Sequence, residues 1–562
     1  MLVGRSSTLK KHPNLALNIF TCLKSLPPIN AVALSFIMSV ILVFFYNHAL
    51  WKNIFILPYD YSLANLGFVI SLFAFFIALT NIVITVFSVR YIRRPAFSLL
   101  FITAASTSYF MNNYGIMIDK FMIQNTFETD TSEAFELMSF KLVAYIIGLG
   151  ILPSIIIYHL KFKEHSLLRG SLYRASSVVV SLVVITIIAG LFYQDYASLL
   201  RNNRHLRHLV NPINVISATT SHVTKQLKLD DIQAQPIALD AEKKTLINAN
   251  GKPNLTILVV GETARAANFS LNGYQRETNP QLKNQSIVNF DNVSSCGTAT
   301  ATSLPCMFSK FPKDDYSHKK SKQFQGLLDV LSQVGISVLW RDNNSGCKGA
   351  CDRVPSEQLS KEEHPKLCNS KECYDEILLD NLGSFTEQIT KDTFIVLHQK
   401  GSHGPAYYQR YPQEFAKFHP ICETNQLQNC SQQEITNAYD NTILYTDHFL
   451  NEVIEFLSQH NEQLNTAMLY ISDHGESLGE NGIYLHGTPY FMAPTTQTHV
   501  PFIAWFSDTY QQSNQLNMKC LMKKQQDKMS QDNLFHSVLG LSNISTQEYD
   551  ANLDIFNTCR HI

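Results

Sequence analysis

Four clusters of residues after position 255 combine types and spacings that suit metal-assisted phosphate chemistry. Glu262 and Thr263 follow the apolar run Thr256–Val260, and His398 and His403 follow Thr393–Leu397. Asp473, His474, Glu476 and His486 follow Ala467–Ile471. Carboxylates and imidazoles delivered together offer mixed oxygen and nitrogen ligands, a set that suits zinc. The fourth cluster is Ser294-Ser295-Cys296-Gly297-Thr298-Ala299-Thr300-Ala301-Thr302-Ser303-Leu304-Pro305-Cys306. Two cysteines bracket this hydroxyl-rich stretch, and it opens a helix whose amino-end N–H groups favour a phosphate. A hydroxyl is a poor nucleophile at neutral pH; direct coordination to a divalent ion lowers its pKa. Spacing alone does not choose among Thr298, Thr300 and Thr302, and a plain helix start is the competing explanation.

These clusters need a scaffold that brings them to one edge. The runs Thr256–Val260, Ile336–Trp340, Thr393–Leu397, Ala467–Ile471 and Pro501–Phe506 alternate with helical stretches and glycine-containing loops. That pattern predicts an α/β sandwich over residues 251–562 with a largely parallel sheet, whose ligands bind beyond the carboxyl ends of the strands. Of the 11 cysteines, ten lie after residue 290, in short local pairs. Pairing of neighbours gives Cys296 with Cys306, Cys347 with Cys351, Cys368 with Cys373 and Cys422 with Cys430, with Cys520 and Cys559 as a fifth pair. Such usage points to an oxidising compartment.

The first part of the chain has a different composition. Through residue 195 there are 14 basic and 8 acidic residues, against 31 and 38 in the rest. Five apolar stretches, 29–48, 64–89, 97–118, 142–160 and 176–194, approach the length that crosses a bilayer. Arg5, Lys10, Lys11, Lys24, Arg90, Arg93, Arg94, Lys161, Lys163, Arg169 and Arg174 fall on one side; only Lys52, Lys120 and Lys141 fall on the other. The positive-inside rule then sets the amino end in the cytoplasm and everything after 195 outside. The expected organisation is a transmembrane domain over 1–195, a bridging segment over 196–250 with a helical stretch near 223–245, and an outer catalytic domain over 251–562. A net charge of −1 leaves no basic field for nucleic acid.

Five ordered motifs, VGETAR at 260–265, SCGTATATSLPCMFS at 295–309, WRDNNSGCKG at 340–349, LHQKGSHGPAYY at 397–408 and SDHGESLGENGIYLHG at 472–487, make the chain resemble the lipid A phosphoethanolamine transferases, including the mobile colistin-resistance enzymes. The resemblance implies an alkaline-phosphatase/sulfatase-like periplasmic domain behind a five-helix domain in the bacterial inner membrane. It selects Thr300 as the nucleophile and implies zinc held by Glu262, Thr300, Asp473 and His474. It further implies that His403 and His486 bind substrate phosphate or a second zinc and move protons, and that Asn344 and Lys348 contact phosphoethanolamine. His398 is a weaker candidate in the same pocket.

Between the third and fourth spans, Asn125, Thr129 and Glu133 fall on one face of a helix by spacing. A solvated amphipathic helix is the ordinary explanation; the resemblance implies that these three recognise the lipid donor from the membrane domain. The implied reaction is ping-pong transfer of phosphoethanolamine from phosphatidylethanolamine to a lipid A phosphate through a phospho-threonine, carried out by a monomer among membrane lipids. Less negative lipopolysaccharide attracts polymyxins and other cationic peptides more weakly. Competing expectations are transfer to a core sugar or surface protein, a membrane-tethered phosphatase or sulfatase, and a binding or adhesion protein without catalysis.

Overall fold

The computed structural model describes residues 27–57, 63–129, 131–226, 233–244, 251–360, 364–369 and 372–560. Arg5, Lys10, Lys11, Cys22 and Lys24 lie outside the described residues. The chain forms two compact units, Met1–Asn113 with Ser139–Ala218 and Tyr114–Met138 with Thr219–Ile562.

The first unit is helical. Asn30 starts the helix Ala31–Phe45 by accepting a hydrogen bond from the Val32 N–H at 3.0 Å. The chain bends by 57° before the next helix, His48–Phe55. The buried Asn47 at this bend donates to the carbonyls of Leu42 and Asn211, at 2.9 and 2.8 Å, and accepts from the Asn211 N–H. Asn211 in turn donates to the Ala104 carbonyl at 2.8 Å, so the interrupted backbone finds partners inside an apolar bundle.

Leu66–Val86, Phe140–His159 and Leu167–Leu191 are long and apolar enough to cross a membrane, and the bent pair makes a fourth if counted as one span. The count of five is therefore not reached on length and composition among the described residues. The stretch expected at 97–118 is the helix Arg93–Tyr114, which Ser98, Ser106, Thr107, Ser108, Asn112 and Asn113 make too polar. Phe140–His159 includes a π-helical turn at Ile146–Ile151. Of the helical stretch expected near 223–245, residues through Gln226 are helical, 227–232 lie outside the described residues, and 233–244 holds no helix. Pro236 cannot donate to a helix, Gln235 bridges to Phe324, and Ile237 and Ala238 are buried in the second unit's core.

The second unit is built on strands β1 (Glu242–Lys243), β2 (Asn254–Gly261), β3 (Ile287–Ser294), β4 (Ser337–Asp342), β5 (Ser356–Gln358), β6 (Thr393–His398), β7 (Asn465–Ser472), β8 (Ser477–Leu478), β9 (Tyr484–Leu485), β10 (His499–Phe506), β11 (Met529–Ser530) and β12 (Ile544–Ser545). Eight form the main sheet in the order β11-β3-β10-β7-β2-β6-β4-β5. Every residue of β2 and β7 is buried, as expected for central strands covered on both faces. The amphipathic helix Gln432–Gln459 lies against the sheet and starts at a capping box, with Ser431 and Glu434 satisfying each other's backbone N–H groups.

β2, β4, β5, β6 and β7 are mutually parallel, but β10 runs antiparallel to both β7 and β3. β3 and β11 run with β7, so the sheet is largely parallel as expected and β10 is the one reversed strand that makes it mixed. After β7 the chain stays at the carboxyl edge through residue 498, so the next strand has to start there and run back. The apolar run Pro501–Phe506 reads the same in either direction. β3 was not expected at all, because Asn289, Asp291 and Asn292 interrupt its apolar pattern.

Candidate active site

Strand register brings the clusters to one edge. Val260 pairs with His398, Gly261 with Ser472 and Asp342 with His398, so β2, β4, β6 and β7 end level with one another. Glu262 emerges from β2 on a turn where Thr263 takes φ 52°, and Tyr439 fixes this turn by donating to the Thr263 carbonyl and accepting from the Arg265 N–H. The 398–403 loop closes on it: Ser402 donates to the Glu262 carbonyl at 3.0 Å. Gly401, at φ 55°, is required here, since a Cβ would lie 2.7 Å from that carbonyl oxygen. The buried Asp375 holds the same loop by accepting from the N–H groups of Lys400 and Gly401.

The structure separates the three threonines. Thr298 donates to the Thr488 carbonyl at 2.7 Å, and Thr302 packs over Gly297, whose Cβ would lie 2.9 Å from it. Thr300, the first residue of the helix Thr300–Met307, points its Oγ1 at both oxygens of Glu262, each at 3.1 Å, and at Nε2 of His474 at 3.3 Å. All five disulfides form between neighbouring cysteines: 296–306, 347–351, 368–373, 422–430 and 520–559. The first spans the hydroxyl-rich 296–306 loop, and this pairing removes the cysteines as metal ligands.

Ligand atoms of Glu262, Asp473 and His474 all lie within 4.8 Å of one another, and the three residues are buried. His474 Nδ1 faces the Gly475 carbonyl at 2.9 Å. A carbonyl only accepts, so Nδ1 carries the hydrogen and Nε2 presents a lone pair, 3.4 Å from Glu262 Oε1 and 3.2 Å from Asp473 Oδ2. Burial, reinforced by His486 beside it, pushes His474 down to about 3, so it stays neutral. Asp473 Oδ1 accepts from the N–H groups of Thr263 and His474, while Oδ2 is buried without a hydrogen-bond partner. Burial, and then Glu262, push the Asp473 carboxyl well above the usual range. Three converging acceptors with one orphaned oxygen fit a divalent cation better than any hydrogen-bonding arrangement.

A small cavity in front of Thr300 is lined by Asn125, Glu128, Thr129, Glu133, Ser345, Lys348, His403 and His486. Glu133 Oε1 is 3.4 Å from His403 Nε2, and His486 Nδ1 is 3.3 Å from Glu476 Oε2. Burial opposes a charge on His486, but Glu476 outweighs it and raises the imidazole to about 9, so it is charged at neutral pH. Asn125, Thr129 and Glu133 do not share one helix as expected. The helix Lys120–Glu128 stops at Thr129, which takes extended backbone and donates its hydroxyl back to the Asn125 carbonyl at 2.7 Å; a second helix, Thr131–Glu136, carries Glu133. Their segment belongs to the second unit, so they reach the cavity from within the unit that carries Thr300.

Lys348 takes φ 50° and donates to the carbonyls of Glu128 and Ser345. Asn344 is among the buried residues behind the cavity and donates to Glu262 Oε2 at 2.7 Å. His398 does not line the cavity; it is fully buried, with Nδ1 2.8 Å from Asp342 Oδ2 and Nε2 3.4 Å from Asn344 Nδ2. Glu128, Ser345, Asp342 and Asp375 went unrecognised in the sequence, where nothing sets them apart from solvated polar residues. So did the buried Arg410, which donates to the His403 carbonyl at 2.7 Å and pairs with Glu136 and Glu372.

A sheet of this topology with acidic and imidazole ligands beyond its carboxyl edge defines a sulfatase-like domain, and the family model described as sulfatase matches residues 254–544. A second, described as phosphoethanolamine transferase EptA/EptB, matches 76–227. The chain is 42% identical to phosphoethanolamine transferase EptA of Escherichia coli (strain K12), over 95% of this chain and 98% of that one. It is also 42% identical to phosphatidylethanolamine transferase Mcr-1 of Escherichia coli, over 78% and 83%. The structure of the integral membrane protein lipooligosaccharide phosphoethanolamine transferase A (EptA) from Neisseria meningitidis superposes with a TM-score of 0.91 at 37% identity, covering 95% of this chain and 100% of that one. The chain belongs to the phosphoethanolamine transferase family and is an enzyme of that class.

Proposed function

We propose that this enzyme takes phosphoethanolamine from phosphatidylethanolamine onto Thr300 and passes it to a lipid A phosphate on the periplasmic side of the inner membrane. The observation that carries the nucleophile is the aim of Thr300 Oγ1 at Glu262 and His474. The donor is supported by the name of the Mcr-1 relative, and a lipooligosaccharide-type acceptor by that of the meningococcal one. Glu262, Thr300, Asp473 and His474 would hold zinc. When bound, it lowers the pKa of a hydroxyl in contact with it and offsets phosphate charge.

The protein's own groups do the rest. Thr300 Oγ attacks the donor phosphorus as the bond from phosphorus to the diacylglycerol oxygen breaks. The Thr300 proton is released to solvent as the hydroxyl ionises, and the charged His486 protonates the departing diacylglycerol oxygen, with His403 across the same cavity as the alternative donor. Glu133 and Glu128 face the ethanolammonium, Lys348 and His486 the phosphate. In the second half an acceptor phosphate oxygen attacks the same phosphorus and Thr300 recovers its hydroxyl. Each transfer adds an ammonium to the lipid surface, which weakens its pull on polymyxins.

The test is mass spectrometry of lipid A from cells expressing the wild type or Thr300→Ala. A phosphoethanolamine increment found with the wild type alone supports the proposal. An increment on core sugars with none on lipid A contradicts the acceptor.

A further inference from the structure

The helical unit holds a cavity of about 350 Å³ whose wall is drawn from three stretches, within 30–32, 88–93 and 163–174. Backbone pairing joins the first to the third: Ile29 donates to the Lys161 carbonyl and Lys163 donates to the Ile29 carbonyl, each at 2.9 Å. The Arg93 guanidinium lies over the Phe162 ring, 4.0 Å from its centroid, and ties in the second.

The charge on this wall is unbalanced. Arg90, Arg93, Lys163 and Arg174 line it with His165, against Glu164 as the carboxylate among the described lining residues. Glu164 is taken by Arg90 and Arg93. Arg174 donates to the Ser171 hydroxyl at 3.0 Å, and neither it nor Lys163 forms an ion pair among the described residues. Arg93 is 7% exposed, yet its Nε is buried without a hydrogen-bond partner, as is Nε2 of His165. A guanidinium nitrogen buried and unmet calls for an acceptor oxygen. The helices Ala31–Phe45, Arg93–Tyr114 and Leu167–Leu191 all start at this wall, so three positive helix ends add to the same field. Tyr91, Leu167 and Tyr173, which also line it, are large apolar groups left exposed, of the kind that sits at a bilayer interface.

We propose that this cavity binds the phosphate of an anionic phospholipid in the cytoplasmic leaflet, the side to which the positive-inside rule assigns these residues. Lys163 and Arg174 supply the charge that Glu164 leaves uncompensated, and Arg93 offers the unmet donor. A lipid fits better than a soluble anion because Leu167–Leu191, which is long and apolar enough to cross a membrane, begins at the cavity, and exposed apolar side chains stand beside the cations. An anionic headgroup fits better than a zwitterionic one because an ethanolammonium would meet an excess of positive charge. The site is separate from the transfer chemistry: its lining residues all belong to the helical unit, whereas Thr300 belongs to the other. One phosphate held there bridges three helix starts and so favours the assembled helical unit.

The test uses the purified full chain, delipidated in a neutral detergent, with phosphatidylglycerol, phosphatidylethanolamine and inorganic phosphate as separate probes. Native mass spectrometry reads lipid affinity and thermal melts read stabilisation, in the wild type, in the Lys163→Gln/Arg174→Gln pair and in the charge-keeping Lys163→Arg/Arg174→Lys pair. The wild type is expected to bind phosphatidylglycerol about tenfold or more tightly than phosphatidylethanolamine, to melt higher when it is added, and to lose affinity as salt rises. The glutamine pair should lose about tenfold or more in phosphatidylglycerol affinity together with the melting shift, and the charge-keeping pair should stay within about threefold of wild type. Equal affinity of the wild type for the two lipids, or an unchanged phosphatidylglycerol affinity in the glutamine pair, overturns the assignment. Displacement of phosphatidylglycerol by inorganic phosphate at equal concentration overturns the lipid as the occupant in favour of a free anion. If the glutamine pair does not fold, the lipid preference of the wild type and its salt dependence decide, and a preference that salt leaves unchanged counts against the site.

Discussion

Thr300 Oγ1 lies 3.1 Å from each oxygen of Glu262, so one carboxylate addresses the hydroxyl symmetrically from beneath the helix start. Replacing Thr300 by alanine removes the oxygen proposed to carry the phosphoethanolamine and changes little volume. Transfer should fall by about three orders of magnitude or more, with an unchanged melting temperature. Thr300→Ser should keep a measurable fraction of activity. Steady-state rates on purified protein, with circular dichroism as the fold control, check both.

The acceptor-only cluster of Glu262, Asp473 and His474 predicts that metal and activity are lost together. Glu262→Ala or Asp473→Ala should each give protein with a sharply lowered zinc content and no transfer, and a strong chelator should reproduce this in the wild type. Metal analysis beside the assay decides it. Full turnover in a zinc-free preparation would contradict the metal reading.

Glu133 faces His403 inside the cavity that holds Thr300, so its role reaches beyond a membrane-embedded donor. Glu133→Ala should raise the donor KM about tenfold or more for phosphatidylethanolamine and for a short soluble phosphoethanolamine ester alike. A fragment starting near residue 250 lacks the 114–138 segment and should show the same weakness on the soluble ester. A defect confined to the membrane-embedded donor would show that Glu133 acts away from the reacting group.

Asp342 supports the site from behind. Burial pushes its carboxyl up, but His398, the Trp340 indole N–H and the Asn344 N–H outweigh burial and hold it down to about 2. A carboxyl whose folded-state pKa is lowered contributes stability above its unfolded value near 3.9, and loses that contribution as the pH falls toward 2. The wild type should therefore melt higher than Asp342→Asn at pH 5 to 7, by an amount that corresponds to about 2 kcal/mol, and the gap should close as the pH drops from about 4 to 2. Thermal melts across that range read it directly.

The strand ends were legible because each apolar run stops at residues that have no reason to follow it unless they work there. VGE, VLH and ISDH announce Glu262, His398 and Asp473–His474, and register makes them neighbours. Local cysteine pairs were legible for a similar reason, since short loops close easily. Strand direction was not, because alternation and apolar content carry no sign, and β10 therefore surprised. The choice of Thr300 depends on which hydroxyl the Thr488 carbonyl occupies, a contact 190 residues distant. The break at Thr129 was hidden because threonine and asparagine at four-residue spacing fit a helix as well as they fit its end. His398 was placed correctly on its strand and given the wrong surroundings: Asp342, at the end of the adjacent strand, holds it out of the cavity.

The central claim is that Thr300 carries the transferred group, and the most direct measurement is peptide mass spectrometry of full-length enzyme incubated with phosphatidylethanolamine without acceptor and then acid-quenched. The account predicts a phosphoethanolamine adduct on the peptide spanning Cys296 to Cys306, localised by fragmentation to Thr300 and discharged when lipid A is added before the quench. An adduct on Thr298 or Thr302, or diacylglycerol release with no adduct on this loop, would contradict it.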